Sequence, residues 1–86
     1  MAEVLVRVKL FPESPETELG ELVERVSKLG FRVNATREEP IAFGLKALVA
    51  EFVVPDAEGE AEKLEEKLRQ VEGVGELEVM EVHRLL

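Results

Sequence analysis

The sequence predicts an α+β fold, in which a four-stranded antiparallel sheet carries two helices on one of its faces. Apolar residues alternate with other residues along several short segments, as in strands that bury one face. Two Glu-rich segments instead place apolar residues at helical spacing. The segments follow in the order strand, helix, strand, strand, helix, strand and occupy nearly all of the 86 residues.

The first strand and the first helix have clear boundaries. Residues 4–10 alternate with a period of two, and a segment that contains two prolines ends the strand. Ser14 is placed to cap a helix that begins at Pro15, where the missing N–H costs nothing. Gly30 is expected to end this helix. Its apolar stripe comprises Leu19, Leu22, Val23, Val26 and Leu29.

A hairpin is expected next, with its turn at residues 39–45. Pro40 disfavours helical backbone in the residue before it, and Gly44 can adopt a positive φ, so the chain should bend here. The turn contains two large apolar side chains, Ile41 and Phe43. They either fold back onto the end of the core or contact a partner, and the residues alone leave both interpretations open.

The segment after the turn, residues 45–54, is apolar at nearly every position, which predicts a central strand buried on both faces. Asp56 should cap the second helix, and Gly73 should end it. The apolar stripe of that helix comprises Ala61, Leu64, Leu68 and Val71. In the last strand, the adjacent apolar pair Val79 and Met80 breaks the alternation and suggests a β-bulge.

These six elements in this order predict a ferredoxin-like βαββαβ sandwich with the first and third strands in the centre of the sheet. One face of the sheet then carries no helix. Leu5, Arg7 and Lys9 are expected on this open face, because the valines between them face the helices. An open face with apolar residues is a surface for a partner or for self-association.

Composition narrows the class of protein. We expect a single domain over residues 1–86, since the chain has room for one core. The net charge of −8 argues against binding to nucleic acid or to an anionic membrane. The absence of cysteine fits a reducing, cytoplasmic compartment. The first residues show no signal-peptide pattern, and no apolar run is long enough to span a bilayer, so we expect a cytoplasmic protein.

The residues do not indicate a catalytic, cofactor or metal site. His83 is the single histidine, so one chain cannot supply a Ser/His/Asp triad or a site with several histidine ligands. The glutamates of the second helix are interpreted as a solvated face. No glycine-rich phosphate loop followed by Lys is present. The acidic loop at residues 11–16 also lacks the Arg of an acylphosphatase-like site, so we predict that the protein is not an enzyme.

Residues 40–48, Pro-Ile-Ala-Phe-Gly-Leu-Lys-Ala-Leu, resemble the signature of the guanine-nucleotide exchange domain of translation elongation factor 1-beta, especially its short archaeal form. Residues 9–15, 54–59, 71–74 and 82–86 resemble further segments of that family, so the similarity spans the whole chain. It implies the same ferredoxin-like fold. It also implies a guanine-nucleotide exchange factor that promotes GDP release from the elongation factor 1-alpha GTPase during protein synthesis, and that binds no nucleotide, cofactor or metal itself.

The resemblance also implies site residues. Phe43 matches the aromatic of the family's Pro-Ile-Gly-Phe-Gly pattern, which implies an anchor against the GTPase, although Ala42 replaces the family's Gly. Arg84 matches the Lys near the end of the eukaryotic domain, which approaches the partner's magnesium site. Because Arg has a planar fork and Lys a compact ammonium, the exchange role of Arg84 is a hypothesis. The other expected partner-binding residues are Pro40, Ile41, Gly44, His83 and Leu85.

Topology adds an expectation about distance. The hairpin lies at one end of the sheet and the last strand runs to the other, so Phe43 and Arg84 should be roughly 20 to 30 Å apart. A monomer would then touch two parts of its GTPase. The alternative hypothesis is a ferredoxin-like regulatory module that dimerises through its open face and binds a small molecule at the interface. An apolar pocket there would favour the alternative, and an exposed Phe43 would favour exchange.

Overall fold

The computed structural model of the protein describes residues 2–85 and confirms the ferredoxin-like βαββαβ order. The strands form one antiparallel sheet in the order β2-β3-β1-β4, so β1 and β3 are central, as predicted. A short 3-10 turn, Ala42–Gly44, joins β2 to β3. The main elements are β1 (Glu3–Pro12), α1 (Leu19–Ser27), β2 (Arg32–Pro40), β3 (Lys46–Pro55), α2 (Glu60–Arg69) and β4 (Val74–Leu85).

The core lies between the helices and one face of the sheet. Alternate residues of β1 and β3 point into it and meet the predicted stripes of α1 and α2. Phe52 is fully buried and packs edge-on against Phe31, with ring centroids 6.5 Å apart. Burying one such side chain stabilises the fold by about 1.5 to 3 kcal/mol. The fully buried residues include Val6, Val8, Leu10, Leu22, Val26, Leu48, Leu64 and Leu68.

The predicted start of the first helix is wrong. α1 begins at Leu19 rather than Pro15, and no side chain caps it. Ser14 instead closes a turn, in which its Oγ accepts a hydrogen bond from the N–H of Glu16 at 3.3 Å and its carbonyl accepts one from Thr17 at 3.1 Å. A Ser–Pro pair signals either a helix cap or a turn, and here the turn is formed.

The predicted cap of the second helix is also wrong. α2 begins at Glu60, after Gly59 with a φ of +83°, and Asp56 makes no cap. The backbone N–H of Asp56 donates instead to the carbonyl of Ala2 at 3.1 Å, next to the start of β1. α2 also ends at Arg69, earlier than predicted, and two further turns lead to Gly73, whose φ is +99°.

The predicted bulge in the last strand is present. Arg7 pairs with Glu81 and Val8 pairs with Val79, so Met80 has no counterpart on β1. An extra residue reverses which face each following side chain occupies. Beyond the bulge, Arg84 pairs with Val4 and so lies on the helix side of the sheet. The bulge therefore decides the face on which the cation near the C-terminal end of β4 lies.

Candidate functional site

The turn between β2 and β3 presents Phe43 to solvent. Two hydrogen bonds close the turn, from the N–H of Ile41 to the carbonyl of Leu45 at 2.7 Å and from the N–H of Leu45 to the carbonyl of Ala42 at 3.2 Å. The Phe43 residue is 98% exposed. The interpretation that Phe43 folds back onto the core is therefore wrong, whereas Ile41 is half-buried at the base of the turn.

The backbone of Phe43 is strained. Its φ and ψ are 62° and 34°, which places a bulky residue in the left-handed region at a cost of roughly 1 to 2 kcal/mol. Gly44 follows with a φ of +74°, as predicted for that glycine. Because the ring is exposed and its backbone is strained, Phe43 contributes almost no stability to the isolated fold. Such a combination indicates a surface shaped for a partner.

Beside this tip lies an open cleft of about 390 Å³ between the hairpin and the loop that follows β1. The hairpin stem is held by ion pairs, Lys46 with Glu38 at 3.4 Å and Lys9 with Glu39. The tip thus combines an apolar projection with a shallow, partly polar recess on a supported stem. The recess is lined by residues that include Pro12, Pro15, Leu19, Gly44 and Leu45.

Arg84 lies at the opposite end of the sheet from Phe43, as the topology predicted. The register joins Arg84 to Val4 and Val4 to Val54, near the end of β3, whereas Phe43 precedes Lys46, at the start of β3. Lys46 and Val54 are eight residues apart, which corresponds to about 26 Å of strand. The structure does not bring the two proposed site residues together.

The residues around Arg84 occupy different faces. His83 is exposed and pairs with Leu5 on the open face, and Leu85 lies on that same face opposite Glu3. Arg84 faces the other side, where its Nε lies 2.9 Å from Oδ2 of Asp56. The side chain of Arg84 is 70% exposed and that of Asp56 is 30% exposed. Leu86, the last residue of the family-like ending, lies outside the described residues.

The sequence did not link Asp56 to Arg84, because it suggested that this aspartate caps a helix. No local pattern links it to Arg84, which follows 28 positions later in the sequence. The topology provides the link, since β1 starts between the end of β3 and the end of β4.

The open face of the sheet is covered by ion pairs. Arg7 contacts Glu51 on β3 and Glu81 on β4, each at 2.7 Å, and Asn34 donates a hydrogen bond to Glu51 at 3.0 Å. Val49, also on β3, is buried although no helix covers this face, because long charged side chains can lay their aliphatic parts over apolar neighbours. Leu5, Arg7 and Lys9 lie on this face, as predicted.

These contacts change the acidity of the carboxyl groups. The hydrogen bond from Arg7, aided by the one from Asn34, lowers the pKa of Glu51. The hydrogen bond from Lys9 lowers the pKa of Glu39, and the hydrogen bond to Glu51 raises the pKa of Arg7. All three shifts favour the charged forms of Glu51, Glu39 and Arg7.

Within residues 2–85, no three His, Asp or Glu side chains lie close enough together to hold a metal ion. Neither α1 nor α2 is long and apolar enough to cross a bilayer.

The exposed hairpin tip, the supported stem and the distant cation are features of a protein-interaction domain. Comparison with known proteins identifies the family. Residues 5–85 match the EF-1 guanine nucleotide exchange domain, and the chain belongs to this family. The family is thus one of guanine-nucleotide exchange domains of translation elongation factors.

Archaeal proteins named elongation factor 1-beta are similar over their whole length. The protein of Hyperthermus butylicus is 51% identical, and the match covers 99% of this chain and 97% of the relative. The protein of Sulfolobus acidocaldarius is 46% identical, with 96% and 97% covered. The protein of Methanothermobacter thermautotrophicus is 44% identical, with both chains covered completely.

Proposed function

We propose that this protein binds the GTPase elongation factor 1-alpha and accelerates the release of GDP from it, so that GTP can bind. The observation that carries the proposal is the exposure of Phe43 on strained backbone at the tip of the hairpin, in a chain of the exchange-factor family. The protein would act as a monomer in the cytoplasm, where translation takes place. It would need no nucleotide or metal of its own.

In this proposal, Phe43 anchors the domain to the GTPase. Its ring is already in water, so binding would bury apolar area without first removing the ring from the core. Pro40, Ile41 and Gly44 would hold the turn in its bound shape. A rigid turn loses less conformational freedom on binding than a mobile one, which favours affinity.

Arg84 would act at the other end of the domain. A guanidinium brought close to a bound Mg²⁺ and its phosphate ligands repels the ion and competes for phosphate oxygens. Weaker coordination of Mg²⁺ lowers the affinity for GDP. Linkage requires the reverse effect as well, so GDP must weaken the binding of the exchange factor to the GTPase. His83 and Leu85 would contact the partner beside Arg84.

The separation of the two ends supports a division of work. With about 26 Å of strand between them, Phe43 and Arg84 cannot occupy the same pocket of the partner. The hairpin would hold the GTPase, and Arg84 would disturb its nucleotide site. The open-face ion pairs give no comparable support to a small-molecule module, because the residues described there form a charged network and not an apolar pocket.

The test is the release of fluorescently labelled GDP from the cognate elongation factor 1-alpha, measured at increasing concentrations of this protein. We expect the wild type to accelerate release and Arg84→Ala to lower the maximal rate at least tenfold, with the half-saturating concentration nearly unchanged. Arg69→Ala is the matched control, because Arg69 is also exposed and pairs with Glu65. A wild type that leaves GDP release unchanged on an active GTPase would remove the proposal.

A further inference from the structure

Asp56 lies in the loop that follows β3 and is fixed there by the backbone. Its N–H donates to the carbonyl of Ala2 at 3.1 Å, and the next residue, Ala57, donates to the carbonyl of Pro55 at 2.9 Å. Its carboxylate is less exposed than the side chain it contacts, 30% against 70% for Arg84. The aspartate is thus the better-held member of the pair, and the arginine is the member that reaches into solvent.

The contact between Asp56 and Arg84 involves the Nε of the guanidinium. Oδ2 of Asp56 lies 2.9 Å from Nε of Arg84. The guanidinium carries five N–H donors, four of them on the two terminal nitrogens. Within residues 2–85, no second carboxylate forms an ion pair with Arg84. The contact at Nε lies near the base of the guanidinium, and the side chain of Arg84 as a whole stays 70% exposed and within reach of a partner.

We propose that Asp56 is a positioning residue for nucleotide exchange, which holds the side chain of Arg84 extended from the sheet before the GTPase binds. The inference rests on the exchange function proposed above. A free arginine samples many rotamers and loses that freedom when it docks, so a residue that selects one arrangement beforehand reduces the loss. Exposed ion pairs are weak, so Asp56 does not trap Arg84 away from the partner.

The first test needs no partner. NMR relaxation of the Arg84 Nε–Hε group in the isolated protein reports how ordered the side chain is. We expect the heteronuclear NOE of this group to fall in Asp56→Asn, which removes the charge but keeps the shape. It should stay at the wild-type value in Glu58→Gln, a control that neutralises another exposed acid of the same loop. An unchanged NOE in Asp56→Asn overturns the positioning role.

The second test uses GDP release from the cognate GTPase. Asp56→Asn should lower the maximal rate about two- to fivefold, within the range expected from an exposed ion pair, without changing the half-saturating concentration. In the Arg84→Ala background, Asp56→Asn should have no further effect, because the two residues act as one unit. Thermal unfolding of Asp56→Asn and Glu58→Gln should match that of the wild type, which separates positioning from folding.

The outcomes distinguish this inference from the function on which it rests. If Arg84→Ala shows the expected loss of maximal rate while Asp56→Asn is as active as the wild type, the positioning role alone is overturned. Faster release by Asp56→Asn also overturns it, because Asp56 would then restrain Arg84. An equal loss in the presence and absence of Arg84 shows that Asp56 acts elsewhere. If the wild type does not accelerate release, the proposed function and this inference fall together.

Discussion

Replacing Phe43 by Asn separates the role of its ring from the role of its backbone. Asn tolerates left-handed backbone better than Phe does, so Phe43→Asn keeps the turn and removes the ring. Since the ring is in water, folding loses no burial, and relief of strain should leave the free energy of unfolding unchanged or raised by up to about 1 kcal/mol.

Binding should respond in the opposite direction. A Phe that buries about 150 Å² in an interface gains near 4 kcal/mol at about 25 cal/mol per Å². Aromatic anchors typically lose about 2 kcal/mol or more on truncation. We therefore expect the Kd for nucleotide-free elongation factor 1-alpha to rise roughly 30- to 800-fold.

Isothermal titration calorimetry measures the Kd, and urea unfolding measures stability. Met80→Ala is the control, because it removes an apolar residue that is 38% exposed and lies outside the hairpin. Its Kd should stay within about twofold of the wild type. A Phe43→Asn protein that binds normally would refute the anchor. A free energy of unfolding of Phe43→Asn that is lower than the wild type's by more than about 1 kcal/mol would instead show that Phe43 supports the fold.

Two other predictions concern stability. Contacts with Arg7 and Asn34 lower the pKa of Glu51 in the folded protein. The stabilisation from these contacts is present above the unfolded pKa of about 4.3 and is lost as the pH falls through the folded pKa. The free energy of unfolding should thus depend less on pH between pH 5 and 3 in Glu51→Gln than in the wild type. Parallel plots of this free energy against pH for the two proteins would contradict the argument. The free energy of unfolding of Gly73→Ala should be lower by more than about 1 kcal/mol, because Gly73 has a φ of +99° and a Cβ there would meet two α1 side chains at 3.0 Å. A Cβ at Gly20 would have no neighbour within 4 Å, so Gly20→Ala should raise the free energy of unfolding by up to about 1 kcal/mol. Urea unfolding that finds Gly73→Ala more stable than Gly20→Ala would refute the argument.

The order of elements and the core were predictable because each element buries one face. Alternation in β1 and the apolar stripes of α1 and α2 record that burial directly, and the residues they mark, except Ala61, belong to the core or pack against it. The helix starts were not predictable to the residue. Ser14 and Asp56 are good caps by type, yet both lie in loops whose hydrogen bonds have other partners.

The candidate site was likewise predictable only in part. The turn was predictable from Pro40 and Gly44, but the direction of the Phe43 ring was not, since an apolar residue in a turn suits a core or a partner equally well. The left-handed backbone at Phe43 turns the ring outward. Similarly, the break in alternation indicated a bulge near Met80, but only strand pairing showed that it moves Arg84 to the helix side.

The sequence by itself determined the class of fold, the central strands and the family-like segments, because these depend on periodic burial and on residues close together along the chain. Tertiary structure decided that Phe43 is exposed, that it lies at the opposite end of the sheet from Arg84, and that Asp56 contacts this arginine. These facts depend on strand register and on hydrogen bonds between distant loops. A single local pattern contains neither.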